Sequence, residues 1–289
     1  MKKIGILYHP LNEAACTLAE EVNQFLPSQG VSAWLCSSWE GENARAQLDG
    51  TELLLSIGGD GTILRAAQVA LLTKTPVTGI NMGKLGFMTE LKADEVMSKL
   101  PALIAGEGWI DERAMLEAEL APSEPGSGLP LKHYALNDVV VARGAIARVV
   151  NIEAKIDGET LATYRADGII VATATGSTGY SLAAGGPILH PQSEEFLLLP
   201  ILPHLTQGYP LVLPSAAEVS LHLSTTYQAT LSIDGNMNLP LDSGATINIR
   251  HSDQTTRFLR IHPRKSFYGT LEQRLKGKRQ IEPCGKGHH

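Results

Sequence analysis

Up to about Arg113 the apolar positions switch repeatedly between short aliphatic runs and segments with helical spacing. The run "KIGILYH" precedes the helix-patterned "EAACTLAEEVNQFL" and "SAWLCS" follows it. "LLLSI" (53–57) then leads through "GGDG" into a segment with apolar residues at Ile63, Ala67, Ala70 and Leu71. "TPVTGINMG" is another short apolar strand ending in glycine, and "KADEVMSKLPALIAG" is again helix-patterned. Repeated strand–helix alternation predicts an α/β domain with a parallel, helix-covered sheet and its sites at the carboxyl ends of the strands. "GGDG" and "NMGKLGF" both fall at such ends, which predicts that they share one crevice.

Beyond Arg113 the pattern changes. "SEPGSGLP" (123–130) is turn-rich, and after it β-branched, alternating stretches dominate: "NDVVVAR", "VVNIEAKIDG", "TLATYRADGIIVATA", "AEVSLHLS", "QATLSIDG" and "ATINIRHS". They predict a mainly antiparallel all-β C-terminal domain. The expected division is an α/β nucleotide-binding domain over 1–112, a β-rich domain over 113–262, and a tail over 263–289. That tail carries a short basic helix, "GTLEQRLKGKR", that packs back on one of the domains, and a polar end, "GKGHH", expected to be disordered or foreign to the fold.

A chain of 289 residues with 43% hydrophobic content buries about 75% of its unfolded surface, enough for one large domain or two. The 24 basic and 30 acidic residues leave a formal charge of −6 with no strongly basic run, which argues against nucleic-acid and anionic-membrane partners. Three cysteines (Cys16, Cys36 and Cys284) without CxxC spacing argue for a reducing compartment and against a disulfide scaffold or zinc ribbon. The apolar stretch near the start is too short for a signal-peptide core, and "FLLLPILPHL" is interrupted by Pro200, Pro203 and His204, so no membrane span is expected. These features predict a cytoplasmic protein.

GxxxxGK[ST], a GxGxxG after the first strand, HExxH and GxSxG are all absent. The nine histidines are scattered, and His190 and His222 are expected to be structural. What remains is an aspartate, Asp60, where a glycine turn meets a helix N-terminus. That point suits an anion, so a carboxylate there would repel a phosphate. It can cap the helix, ligate a magnesium ion that bridges to phosphates, or accept the proton of a hydroxyl that attacks a phosphoryl group. A second dense stretch, "TYRADGIIVATATGSTGYSLAAGGPILHP" (163–191), brings Thr173, Thr175, Ser177 and Thr178 together with bare amides that can cradle phosphates or sugar hydroxyls. Tyr180 offers a stacking face for a base. Asn137 and Asp138, an amide beside a carboxylate, suit a ribose diol.

In this order, "GGDGT", "GINMGKLGFMTEL", "LNDVVV", the 163–191 stretch and "SIDGN" resemble the NAD kinase family, whose members phosphorylate the 2′-hydroxyl of the adenosine ribose of NAD to make NADP. "GGDGT" alone is shared with diacylglycerol and sphingosine kinases; the 163–191 stretch is more specific. The resemblance implies an active site between a Rossmann-like α/β domain and a β-rich domain. It implies Asp60 as catalytic base with Gly61 beside the substrate, Arg65 as a phosphate contact, and Phe87 packing on the adenine. Asn137 and Asp138 would hold the adenosine ribose, and Arg148, Arg165 and Asp167 would contact the dinucleotide, some of them from a neighbouring subunit. Thr175 and the run Thr178, Gly179, Tyr180, Ser181, Leu182 and Ala183 match the loop around the adenine, with Asn236 a further polar contact. Ala172, Ala174 and Gly179 stand where the family more often has Ser, Pro and Ala, which leaves the hydroxyls in place and puts the stiffness of the loop in question. ATP or inorganic polyphosphate would be the donor, with magnesium, and the assembly a homodimer or homotetramer, since two arginines and an aspartate would crowd one dinucleotide if all came from one chain. The alternatives are a lipid or sphingoid kinase sharing "GGDGT", and a non-catalytic NAD(P) sensor.

Overall fold

The structure is a computed structural model that describes residues 1–83, 86–121, 131–144, 149–204, 208–264 and 267–277. Arg148, Lys84 and Leu85 of "KLGF", the turn-rich 123–130, Cys284 and the "GKGHH" end lie outside the described residues. The chain divides into two compact units, one of Met1–Ala66, Val77–Trp109 and Leu259–His289, the other of Ala67–Pro76 and Ile110–Phe258.

In the first unit, strands β1 (Lys3–Tyr8), β2 (Ser32–Ser37), β3 (Leu53–Gly58) and β4 (Val77–Asn81) form a parallel sheet in the order β2-β1-β3-β4, with the two-residue β5 (Leu91–Lys92) beside β4. Every residue of β3 and β4 is buried, which is why both read as continuous apolar runs rather than as alternation. Helices α1 (Glu13–Ser28), α2 (Gly41–Ala46), α3 (Asp60–Ala70) and α4 (Val96–Ile104) connect the strands. The Asn12 side chain caps α1 by accepting from the Ala15 amide, and Ala15, Leu18, Ala19, Val22 and Leu26 form its buried stripe.

The second unit is a β-sandwich. Its strands are β6 (Trp109–Leu120), β7 (Leu131–Ala135), β8 (Asp138–Arg143), β9 (Val150–Ile156), β10 (Glu159–Ala166), β11 (Gly168–Ala172), β12 (Phe196–Ile201), β13 (Leu211–Leu213), β14 (Glu218–Ser224), β15 (Ala229–Ile233), β16 (Met237–Leu241) and β17 (Thr246–Arg260). One antiparallel sheet runs β13-β12-β11-β8-β15-β16; in the other β10-β9-β14-β17 is extended by β6 and β7. Val139, Val141, Ile169 and Val171 of the first sheet pack with Ile152, Leu221 and Ile247 of the second. The alternate residues Val140, Ile170, Leu197 and Leu199 form a separate cluster on the other face of β8, β11 and β12, covered by Ala184 and Leu189. A short helix, α5 (Tyr180–Ala183), lies in that covering segment, and α6 (Phe267–Gly277) follows β17 in the first unit.

Two features of this unit are not visible in the sequence. "TLATYRADGIIVATA" spans two strands. It breaks at Asp167 into β10, paired with β9 in one sheet, and β11, paired with β8 and β12 in the other. The Arg143 amide donates to the Asp167 carbonyl and the Asp167 amide to the Ile201 carbonyl, so the crossing residue is pinned on both sides. The stretch "WIDERAMLEAEL", which shows no strand pattern in sequence, is the twelve-residue β6. Its charges pair in the fold: Asp111 with Arg113, and Glu117 with Lys132 and Arg250.

Candidate active site

At the end of β3 the chain passes through Gly59, and Asp60 opens α3. The first helical amides, Thr62 and Ile63, donate to the Gly59 carbonyl. The Asp60 carboxylate reaches instead to the second glycine turn: Oδ2 accepts from the Phe87 amide at 3.1 Å and Oδ1 from the Met88 amide at 3.3 Å. The turns after β3 and β4 therefore meet through this side chain. Gly86 makes the approach possible, since a Cβ there would lie 2.2 Å from Asp60 Oδ1. Asp60 and Arg65 are half-buried and Gly61 is exposed. Phe87 is 9% exposed, with the Arg274 guanidinium 5.9 Å from its ring centre.

In the second unit Asn137 and Asp138 open β8, and the backbone before and at this pair is held by a residue not singled out from the sequence. Asp234 is buried in the β15–β16 hairpin turn, where it and Gly235 both have positive φ (52° and 65°). Its Oδ1 accepts from the Asn137 amide (2.7 Å) and the Asp138 amide (3.2 Å), and its Oδ2 from the Leu136 amide (3.0 Å) and Gln68 Nε2 (3.0 Å). In the sequence the residue stands within "SIDGN", whose Asp-Gly pair suits a hairpin turn and says nothing of a clamp. Burial and the neighbouring Asp234 push the Asp138 carboxyl up to about 7, and burial raises Asp234 as well, against the pull of the amides.

The "TATGSTG" turn stacks on the same pair. The Thr173 amide donates to the Asn137 carbonyl, and Thr173 Oγ1 donates to the Leu136 carbonyl at 2.5 Å while accepting from the Gly176 amide. A Cβ at Gly176 would sit 2.0 Å from the Asn137 carbonyl oxygen, so only glycine permits this contact. Ser177 Oγ bonds to the Ala174 carbonyl and accepts from the Leu189 amide, and Thr178 Oγ1 donates to the Thr175 carbonyl. Thr175 Oγ1 accepts from Arg113, itself held on Asp111 by two hydrogen bonds of 3.0 and 2.6 Å. These internal bonds stiffen the turn without a proline at Ala174. The hydroxyls of Thr173, Thr175, Ser177 and Thr178 thus each hold at least one bond within the fold.

Among the remaining candidates, Tyr180 is 48% exposed, Ala183 is exposed, Leu182 is half-buried, and Gly179 faces Asn137 and Asp138. Ser181 Oγ and Asn236 Nδ2 are buried with no hydrogen-bond partner among the described residues. Arg165 is exposed, and Asp167 pairs with Arg143 at 3.1 Å. His222 shares a 3.0 Å hydrogen bond with Thr246.

An NAD kinase of Dehalococcoides mccartyi is 48% identical to the chain over 279 residues, covering 96% of this chain and 98% of that one. The chain belongs to the NAD kinase family. Residues 29–108 match the ATP-NAD kinase N-terminal domain and residues 136–261 the ATP-NAD kinase C-terminal domain. An NAD kinase of Chloroflexus aggregans is 39% identical over 276 residues, 96% of this chain and 99% of its own. Among solved structures, yeast NADH kinase complexed with NADH superposes with a TM-score of 0.76 at 25% identity, over 97% of this chain and 87% of that one. An NAD kinase from Archaeoglobus fulgidus in complex with ATP gives 0.73 at 24% identity, over 94% and 99%. Among the described residues no helix is long and apolar enough to cross a membrane, and no group of three or more His, Cys, Asp or Glu side chains could hold a metal ion.

Proposed function

We propose that this NAD kinase transfers the γ-phosphoryl group of ATP to the 2′-hydroxyl of the adenosine ribose of NAD, with Asp60 as general base. The observation that carries this reading is the use of Asp60: its carboxylate is fixed by two amides of a neighbouring turn, while the Thr62 and Ile63 amides of its own helix go to the Gly59 carbonyl. Each oxygen keeps a lone pair for an incoming hydroxyl proton. In the reaction the bond between O2′ and the γ-phosphorus forms, the bond from that phosphorus to the β-bridging oxygen breaks, ADP leaves, and the 2′-proton passes to Asp60. Because the transition state is loose and the proton moves late, an ordinary carboxylate suffices. Magnesium, bound with the donor, supplies charge neutralisation on the phosphates. Comparing ATP with polyphosphate in an enzymatic NADP assay tests donor choice; ATP-dependent NADP formation is expected, and NADP formation from polyphosphate alone would overturn the donor assignment.

Asn137 and Asp138 are the proposed ribose contacts, and Asp138 gives this a pH signature. Ionised, it accepts hydrogen bonds from two hydroxyls; protonated, it loses most of that capacity. NAD affinity should therefore rise about tenfold as pH increases through about 7, and Asp138→Asn should flatten the profile, as read by calorimetry from pH 5.5 to 8.5. Stability should run the other way. A carboxyl raised in the fold adds stability that is complete below its unfolded value and is lost as pH rises through about 7.

We further propose a homodimer or homotetramer in which Arg165 serves a neighbouring subunit's site. Light scattering should then give a mass well above 31.0 kDa. Mixing inactive Asp60→Asn chains with inactive Arg165→Ala chains should restore activity through hybrid sites, and a fully active monomer would refute the shared site.

A further inference from the structure

The segment that fastens Asp60 is itself fastened by the C-terminal part of the chain. Arg274, on α6, donates from Nη1 to the carbonyls of Gly86 (3.0 Å) and Phe87 (2.8 Å), with its guanidinium over the Phe87 ring. Arg260, at the end of β17, is 6% exposed and donates to the Met88 carbonyl at 2.8 Å. It is oriented in turn by Glu90 (3.5 Å), whose other oxygen accepts from the amides of Ile261 and His262. Three consecutive carbonyls, 86 to 88, thus point to two arginines, and the amides of Phe87 and Met88 point to the Asp60 carboxylate. Gly86 leaves no slack on the Asp60 side, since a Cβ there would overlap Oδ1.

From this chain of contacts we infer that Arg274 is a positioning residue for Asp60: by bridging the Gly86 and Phe87 carbonyls it sets the orientation of the peptide whose N–H holds the carboxylate, so that docking of α6 governs the rate of phosphoryl transfer. The inference rests on the general-base reading of Asp60. Both bonds come from the two hydrogens of one nitrogen, Nη1, whose directions the planar guanidinium fixes, whereas the three donors of an ammonium rotate about its stem. Arg260 secures the far end of the segment and fixes its depth in the first unit; Arg274 fixes its tilt.

The test is a kinetic cycle on the full chain. Arg274→Ala should lower kcat about tenfold with KM for NAD within about twofold, because the ribose contacts proposed above are untouched. Arg274→Lys should recover part of the loss, and both variants should keep a cooperative thermal transition. Hydrogen exchange of the Phe87 and Met88 amides should accelerate in Arg274→Ala. The decisive arm is the double variant: if Arg274 acts through Asp60, then Asp60→Asn/Arg274→Ala turns over no more slowly than Asp60→Asn alone. A tenfold further loss in the double variant would show that Arg274 acts elsewhere and overturn the inference. So would an Arg274→Ala kcat equal to wild type while Asp60→Asn is crippled. If Asp60→Asn itself keeps wild-type kcat, the general-base reading fails and takes the inference with it, a result distinct from both.

Discussion

Asp60→Asn is expected to lower kcat by about 10²–10⁴ while NAD affinity stays within a few-fold. The amide keeps the shape of the carboxylate, and its oxygen can still accept from one of the two amides that now hold the side chain, Phe87 and Met88. It cannot take the proton of the 2′-hydroxyl, and loss of a general base costs about this factor. Steady-state kinetics combined with calorimetric titration of NAD separates the two quantities. A variant with near wild-type kcat would remove Asp60 from the base role, and one that lost NAD binding in proportion to kcat would make it a binding residue instead.

The second large effect is expected at Asp234. Alanine there leaves the amides of Leu136, Asn137 and Asp138 without their acceptor, while Gln68 Nε2 keeps its bond to the Tyr134 carbonyl. An unpaired buried donor costs about 1–3 kcal/mol. Part of that is offset because the buried carboxylate, held above its ordinary value, is itself costly and acts as a like charge on Asp138. The net destabilisation should be about 2–4 kcal/mol by urea unfolding, with Asp234→Asn between Asp234→Ala and wild type. The same change should move the pH midpoint of NAD binding below about 7, because the charge opposing ionisation of Asp138 is gone. A loss of stability under about 0.5 kcal/mol, or an unmoved midpoint, would mean that Asp234 neither holds this turn nor tunes its neighbour.

The two-part organisation is legible in the sequence because the apolar period itself changes near Arg113, and the strands of the parallel sheet show as short aliphatic runs. β6 is not legible. Its sequence is charged, and the fold hides Asp111, Arg113 and Glu117 by pairing them with partners that are near in space and, for Gln192 and Arg250, far in sequence. The break at Asp167 is hidden for a related reason: β10 and β11 are both extended and β-rich, and only the pairing partners reveal that they lie in different sheets. In the site, Asp60 stands out because a carboxylate among glycines contradicts the anion-binding logic of its turn. Asp234 does not, since an Asp-Gly hairpin needs no further explanation until the three amides it receives are seen. Arg274 is equally silent in sequence, its role depending on carbonyls almost two hundred residues earlier. The hydroxyls of the "TATGSTG" turn, by contrast, stand out. Their density suggests ligand contacts, and the fold adds bonds from Thr173 to the Leu136 carbonyl and from Ser177 and Thr178 to carbonyls of their own loop, which stiffen the turn beneath Asn137 and Asp138.

The most direct test of the central claim is phosphorus NMR of a reaction containing the purified protein, magnesium, ATP and NAD. The account predicts a 2′-phosphomonoester on the adenosine ribose appearing in equal amount with ADP, and no phosphoryl transfer when the acceptor lacks its 2′-hydroxyl. ADP accumulating with inorganic phosphate and no NADP, or transfer to an acceptor without that hydroxyl, would contradict it.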